Sequence, residues 1–374
     1  MWARLLTAAL AVFATSQNTS VNRFSDDFEH GIDRWRIIGE NGVRIKSSGN
    51  PVHGSVLEMV PNGDVSAIIK DSEKWGRVRL EGEMLFPTND DNYLGFIYNL
   101  TEHHRRQDFG LIYVKGNQSY LQVNPQLDFN VTRLVYPELR TQLSGPAAVT
   151  VNTWQRFAIE IDAATAHVYV GSGDVPQITF AGFDHDRGAI GLQPRSIGGP
   201  VWVDNVRVHS IDRLSYSGPP IPAIAYDTTT LLTKWQVAGP FDRTVDDIAR
   251  HPDRGRWATF ETDTRGAIIT GRVVDYHGPK TVAYFRSAVD VPAAGQSELE
   301  FSTSSDLSVW LNGQFISGAS RQEFAWFDFA TNQEHPPRRF AVTLKAGRND
   351  LVVRVRGGAY AEAGFFSRVA TARR

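Results

Sequence analysis

Two glutamates two residues apart, Glu81 and Glu83, fall in a stretch where Val78, Leu80, Gly82 and Met84 alternate with charged side chains. In an extended strand this spacing sets both carboxyls on one face, about 7 Å apart by strand rise. That is near the range in which paired carboxylates cleave glycosidic bonds, and it is equally the pattern of an exposed acidic stripe. A second group lies on another alternating run. Tyr120, Gln122 and Asn124 share a face if Leu121 and Val123 point into a core, which offers one ring and two amides to the outside. Sugars expose apolar C–H faces between hydroxyls, so a flat ring beside convergent planar polar groups is the chemistry that holds them. An ordinary solvated strand face shows the same alternation.

His103, His104, Arg105, Arg106 and Asp108 form a polar connection between two strand-like runs, where a general acid or base or a binding clamp can sit. His104 is the acid–base candidate beside Glu83, and Asn99 and Arg106 are candidate substrate contacts. Adjacent histidines point apart in extended chain, and no His or Glu spacing matches a catalytic zinc site. Asp26, Asp27 and Glu29 near the first strand and Asp204 on the last are oxygen-only donors. Terminal strands of a jelly roll lie side by side, so Asp27 and Asp204 are candidates for a structural calcium ion, or these acids simply shape turns. In the C-terminal part, Trp310 alternates out of phase with Leu307, Val309 and Leu311. Trp257, Trp326 and Phe327 fall in expected loops near Arg321, Glu323, Asp328, Glu334 and His335. Such a rim suits sugar binding, with Trp310 and Trp326 as contacts, or the packing of a sandwich edge. Nothing resembles a nucleophile elbow, a phosphate loop or a dinucleotide fingerprint.

The elements that would position these groups are strands. Period-two alternation runs through Val78 to Phe86, Tyr93 to Leu100, Phe109 to Lys115, Trp154 to Ile161, His167 to Gly171, Gly188 to Gln193 and Val201 to Val208. Amphipathic helical spacing is nearly absent. Short strands punctuated by Gly, Asn, Asp and Pro predict an all-β chain of two antiparallel jelly rolls in series. Asn312-Gly313 between two strand-like runs is a hairpin signal, because both residues tolerate positive φ. The alternation lapses around Ser215-Tyr216-Ser217-Gly218-Pro219-Pro220, where proline removes ladder donors. The expected organisation is a signal peptide at 1–16, a first sandwich at 17–211, a linker at 212–230 and a second sandwich at 231–374.

The chain has 374 residues, enough for two cores of ordinary size. A formal net charge of −2 creates no field that would recruit nucleic acid. Arg4, an apolar run from Leu5 to Ala14 and then Thr15-Ser16-Gln17-Asn18 follow the order of a secretory signal. Export outside the cell or to a periplasm is therefore expected, and the run is too short for a permanent membrane anchor. The chain has no cysteine, so each sandwich depends on apolar burial without disulfides.

The segment from Phe24 to Ile211 resembles the concanavalin A-like jelly rolls, specifically the laminin-G-type and 3-keto-disaccharide hydrolase-like group. The likeness rests on Asp26-Asp27-Phe28-Glu29-His30-Gly31 with Trp35, Gly95-Phe96-Ile97-Tyr98, Asn152-Thr153-Trp154-Gln155-Arg156-Phe157, Gly188-Ala189-Ile190-Gly191-Leu192-Gln193, and Asp204-Asn205-Val206-Arg207-Val208. In the hydrolase-like group Glu83 would be the acidic residue. Tyr93-Leu94-Gly95 here replaces the group's Asn-Ser-Gly, and Asn99 stands where an Arg is expected. From Leu231 to Val369 the chain is similar to galactose-binding-like jelly rolls, through Trp235-Gln236-Val237-Ala238-Gly239-Pro240-Phe241, Tyr284-Phe285-Arg286, Trp310-Leu311-Asn312-Gly313 and the run from Leu344 to Val355. These resemblances imply carbohydrate as the partner, recognised on the concave sheet of the first sandwich with the second as accessory. The alternatives are a glycoside hydrolase or lyase using Glu83, and a structural or adhesion module of a surface assembly.

Overall fold

The computed structural model describes residues 21–39, 41–61, 65–103, 106–124, 126–127, 132–133, 140–181, 186–194, 198–222, 231–242, 246–262, 268–274, 281–303, 306–319, 327–328, 333–334, 338–356 and 364–370. Strands dominate, as the alternation requires. The first set is β1 (Asn22–Asp26), β2 (Trp35–Ile38), β3 (Val43–Ser47), β4 (Ser55–Met59), β5 (Ser66–Ile69), β6 (Val78–Leu85), β7 (Tyr93–His103), β8 (Arg106–Lys115), β9 (Tyr120–Val123), β10 (Gln126–Leu127), β11 (Thr132–Arg133), β12 (Arg140–Gln142), β13 (Gln155–Asp162), β14 (Thr165–Val170), β15 (Ile178–Ala181), β16 (Ala189–Pro194) and β17 (Val201–Ser210). They form two antiparallel sheets. Sheet I runs β15-β14-β13-β6-β17-β4-β3, with β1 also paired to β17; sheet II runs β11-β10-β8-β7-β16-β5-β2, with β9 on β8 and β12 on β9. The first and last strands are neighbours, Asp26 opposite Val206.

The core between the sheets follows from side-chain parity. Val78, Leu80 and Met84 of β6 and Phe157, Ile159 and Ile161 of β13 face Phe96, Ile112, Val114, Leu121 and Leu192 of sheet II in one apolar cluster. The alternating buried and half-buried pattern of β6 makes Arg79, Glu81 and Glu83 its outer side chains. Gly82 has a packing reason, since a Cβ there would lie 2.8 Å from the Phe157 ring. Burial of this kind contributes about 25 cal/mol per Å² of apolar surface, which makes a one-residue register slip costly because it would expose the whole apolar set.

The second set is β18 (Lys234–Phe241), β19 (Ala258–Glu261), β20 (Ile268–Ile269), β21 (Val282–Val291), β22 (Gly295–Thr303), β23 (Asp306–Leu311), β24 (Gln314–Ala319), β25 (Phe327–Asp328), β26 (Gln333–Glu334), β27 (Arg338–Leu344), β28 (Gly347–Arg356) and β29 (Gly364–Ala370). One sheet runs β19-β18-β21-β28-β23-β24, another β20-β29-β22-β27, and β25 pairs with β26. Its apolar cluster, with Trp235, Phe285, Phe301, Leu307, Val309, Val353 and Phe365, shares no residue with the first. Asn312 and Gly313 take φ of 51° and 78° in the turn that joins the paired strands β23 and β24. The described helices are one-turn pieces, among them α1 (Asp246–Arg250) and α2 (Thr270–Val273). No helix among the described residues is long and apolar enough to cross a membrane.

Candidate functional site

Parity that buries one side of sheet I loads the other with charge. Arg79, Glu81 and Glu83 from β6, Arg156 and Glu160 from β13, Tyr169 from β14 and Asp204 and Arg207 from β17 lie on the side away from the core set. The ladder between β17 and β6 is irregular: Asp204 pairs with Glu83 and Arg207 with Glu81, so β17 spends three residues where β6 spends two. Asn205, within this bulge, takes φ of 52°, a left-handed conformation that asparagine tolerates better than most residues. Its side chain thereby joins the same face as that of Asp204.

The result is a linked cluster. Asn205 Nδ2 donates to Glu83 Oε2 at 2.8 Å and to Asp204 Oδ2 at 3.1 Å, while the Asn205 backbone N–H donates to Asp204 Oδ1 at 2.7 Å. His53, from the turn between β3 and β4, brings Nδ1 to 2.8 Å from Asp204 Oδ2 and 3.9 Å from Glu83 Oε2. Its ring stacks on Trp154 with centroids 3.9 Å apart and an interplanar angle of 18°. Burial separates the roles. His53 and Asp204 are 7% and 2% exposed, whereas the Glu83 side chain keeps 26% of its surface open. Burial raises the Asp204 pKa and the Glu83 charge adds to the shift, partly offset by the hydrogen bonds from His53 and the Asn205 backbone.

Glu83 opens onto a groove of about 510 Å³ lined also by Glu81, Arg156, Tyr169, Asn205 and Arg207. This is within the size range of small-ligand sites. Its guanidinium groups are unequally engaged. Arg79 donates to Glu160 at 2.8 Å and to Glu81 at 3.2 Å, Arg156 lies 3.9 Å from Glu83, and Arg207, exposed, forms no ion pair among the described residues. Beneath the groove, fully buried Glu160 also accepts from Tyr169 Oη at 2.9 Å and from Ser215 N and Oγ at 2.8 and 2.5 Å. Burial alone would raise its pKa, but these hydrogen bonds outweigh burial and hold it below the usual carboxylate value. Arg79 is thus held by a well-satisfied buried carboxylate, while Arg156 and Arg207 keep exposed side chains beside the groove.

Comparison with solved structures finds matches that cover about half of this chain. Carbohydrate binding module CBM66 from Bacillus subtilis matches at 12% identity and a TM-score of 0.33, covering 48% of this chain and 92% of that one. The Bacillus licheniformis beta-glucanase matches at 14% and 0.37, covering 51% and 99%. A Bacteroides ovatus GH16 protein of a mixed linkage glucan locus, in complex with its product, matches at 10% and 0.38, covering 50% and 99%. No family model and no curated protein matches the chain.

The residues singled out in the sequence scatter. Glu83 and Asp204 meet, through Asn205 and His53. The expected outward trio does not reach solvent: Leu121 and Val123 are in the core, but Tyr120, Gln122 and Asn124 on the other side are buried too. Tyr113 Oη donates to Gln122 Oε1 at 2.8 Å, and the Arg140 guanidinium lies 3.8 Å over the Tyr120 ring. Burial pushes the Tyr120 phenol well above its ordinary value. Asn99 is likewise buried in sheet II, where its Nδ2 donates to the Ala163 carbonyl at 2.7 Å, so it does not join Glu83. Arg106 opens β8 opposite His103, in sheet II rather than beside the groove. His104 and Trp326 lie outside the described residues.

Of the acids offered for calcium, Asp204 groups with His53 and Glu83. Asp27 is exposed and accepts the Glu29 N–H at 3.3 Å. Asp26 accepts from Phe28 N and Trp35 Nε1, and Glu29 accepts from Ser55 N, so both serve local structure. Trp310 does point away from the Leu307–Val309–Leu311 side, yet it is 4% exposed, packed with Ala249 of α1, Tyr284 and Val352. It belongs to a second apolar layer, not a binding rim. His53, Asn205, Arg156 and Arg207 were missed as site residues. The Asp204-Asn205 pair in a strand-like run was the available signal, since two polar neighbours break strict alternation.

Proposed function

We propose that the groove on the outer face of sheet I binds carbohydrate. The observation that carries this is the lining itself: a half-exposed carboxylate, Glu83, oriented by an amide, beside two available guanidiniums and a tyrosine ring. Hydroxyl pairs of a sugar are met by planar carboxylate, amide and guanidinium groups, and its C–H face by a ring. The reading includes export, supported by the Leu5-to-Ala14 run, and an accessory role for the galactose-binding-like second sandwich. A glycan array probed with the full chain tests it. Binding should fall at least about tenfold, roughly 1.4 kcal/mol, with Glu83→Gln and with the Arg156→Ala/Arg207→Ala pair, and should survive Trp310→Phe. Absence of glycan binding by the folded chain, or binding indifferent to both groove variants, overturns it.

Glycoside cleavage is a second reading, and one observation favours it: an oxygen of buried Asp204 lies within 4.8 Å of one of Glu83, which lines the groove, so two carboxyls in different environments stand side by side. Glu83, open to the groove, is the group that would exchange a proton with substrate, and Asp204 the one that would position it through Asn205. Release of reducing sugar that Glu83→Gln abolishes while leaving glycan binding measurable would establish this reading over pure binding.

A further inference from the structure

Three side chains from distant parts of the chain converge on one point, and one of them, Glu83, also lines the groove. His53 Nδ1, Glu83 Oε2 and Asp204 Oδ2 come from a turn, β6 and β17, and their ligand atoms all lie within 4.8 Å of one another. We propose that they form a binding site for a single divalent transition-metal ion, zinc by preference. Donor atoms around an ion at about 2.1 Å stand about 3 to 4 Å apart, and the His53 Nδ1 separations here are 2.8 Å to Asp204 and 3.9 Å to Glu83. The set is unlike a cluster of surface acids, because His53 and Asp204 are more than nine-tenths buried and one of the three donors is an imidazole.

The surroundings orient each donor. The Asn205 backbone N–H takes Asp204 Oδ1 at 2.7 Å, which leaves Oδ2 for the centre. Trp154 stacks flat on the imidazole and fixes its plane. Asn205 Nδ2 touches both carboxylates; half a turn of the amide exchanges Nδ2 for Oδ1 and converts this bridge into a fourth donor, the third oxygen of the set. Outer contacts of this kind set ligand geometry in metal sites. A nitrogen among the donors selects against calcium and magnesium, which prefer all-oxygen shells, and in favour of metals that imidazole suits, zinc among them. The half-open Glu83 side leaves room for water or a sugar hydroxyl on the ion.

Calorimetric titration of the chelator-stripped full chain with zinc chloride and with calcium chloride tests the assignment. One zinc per chain is expected, with affinity lowered at least about tenfold by His53→Gln and by Glu83→Gln, both with the far-ultraviolet dichroism of the wild type. Cobalt chloride should give visible ligand-field bands that His53→Gln removes. No saturable zinc binding by the folded wild type, zinc affinity unchanged in either folded variant, or calcium bound as tightly as zinc overturns the proposal. Glu83 is partly exposed and its glutamine variant is close to isosteric, so a loss of fold in His53→Gln still leaves the proposal exposed to the Glu83→Gln result.

Discussion

On sheet I the side chains turned away from the core include Arg79, Glu81, Glu83, Arg156 and Arg207, half-buried or exposed around a groove, beside buried Glu160, Tyr169 and Asp204. At the corresponding positions of sheet II stand Ile97, Phe109, Leu111, Tyr113, Tyr120 and Gln122, all buried. Both faces obey the same two-residue period. They differ in what desolvation would cost: covering a dense field of carboxylates and guanidiniums carries a penalty of several kcal/mol per unpaired charge, whereas covering rings and aliphatic side chains is favourable. One charge on the sheet II face, Lys115, is 1% exposed and compensated, over the Tyr93 ring at 4.7 Å and paired with Asp91. A sandwich can therefore reserve one outer face for solutes and use the other as a second layer of core.

The contrast can be broken most directly at Tyr120. Its replacement by Ala should lower unfolding free energy by about 3–5 kcal/mol in urea titration, and a loss below about 1 kcal/mol would mean that the sheet II face is not core-like. Removing charge from the floor of the sheet I groove has the next largest effect. Glu160→Gln should cost about 2 kcal/mol, less than a fully buried pair because Arg79 is partly exposed. Because the folded pKa of Glu160 lies below the unfolded value of 4.5, this stabilisation is complete above pH 4.5 and is lost as pH falls through the lower folded value. Unfolding curves of wild type and Glu160→Gln should therefore converge on acidification, and a constant gap down to pH 3 would contradict the assignment. The smallest stability effect should come from Glu83→Gln, within about 0.5 kcal/mol, even though the same change is expected to weaken glycan binding at least about tenfold.

Much of the architecture was legible because a sheet exposes its parity to the reader. Val78 through Met84 showed which residues of β6 face inward, and the expected neighbourhood of the first and last strands is the β1–β17 pairing. Parity does not say what lies across a face. Tyr120, Gln122 and Trp310 were assigned the correct side and the wrong environment, since burial on an outer face depends on a third layer that alternation does not encode. The His53–Asp204 contact spans 151 residues and leaves no local spacing to detect. His53 sits in a turn with no period of its own, so nothing before folding distinguishes it from a solvent-exposed histidine.

The bulge in β17 means that the chain carries one residue more than the architecture needs. Val203 and Val206 are both in the core, so excising Asn205 would leave an unbroken inward–outward rhythm of Val203, Asp204, Val206 and Arg207 against β6. Such a deletion would subtract the amide that joins Glu83 to Asp204 while sparing the scaffold around it. The supernumerary asparagine is thus spent on side-chain contacts between two carboxylates and not on the ladder.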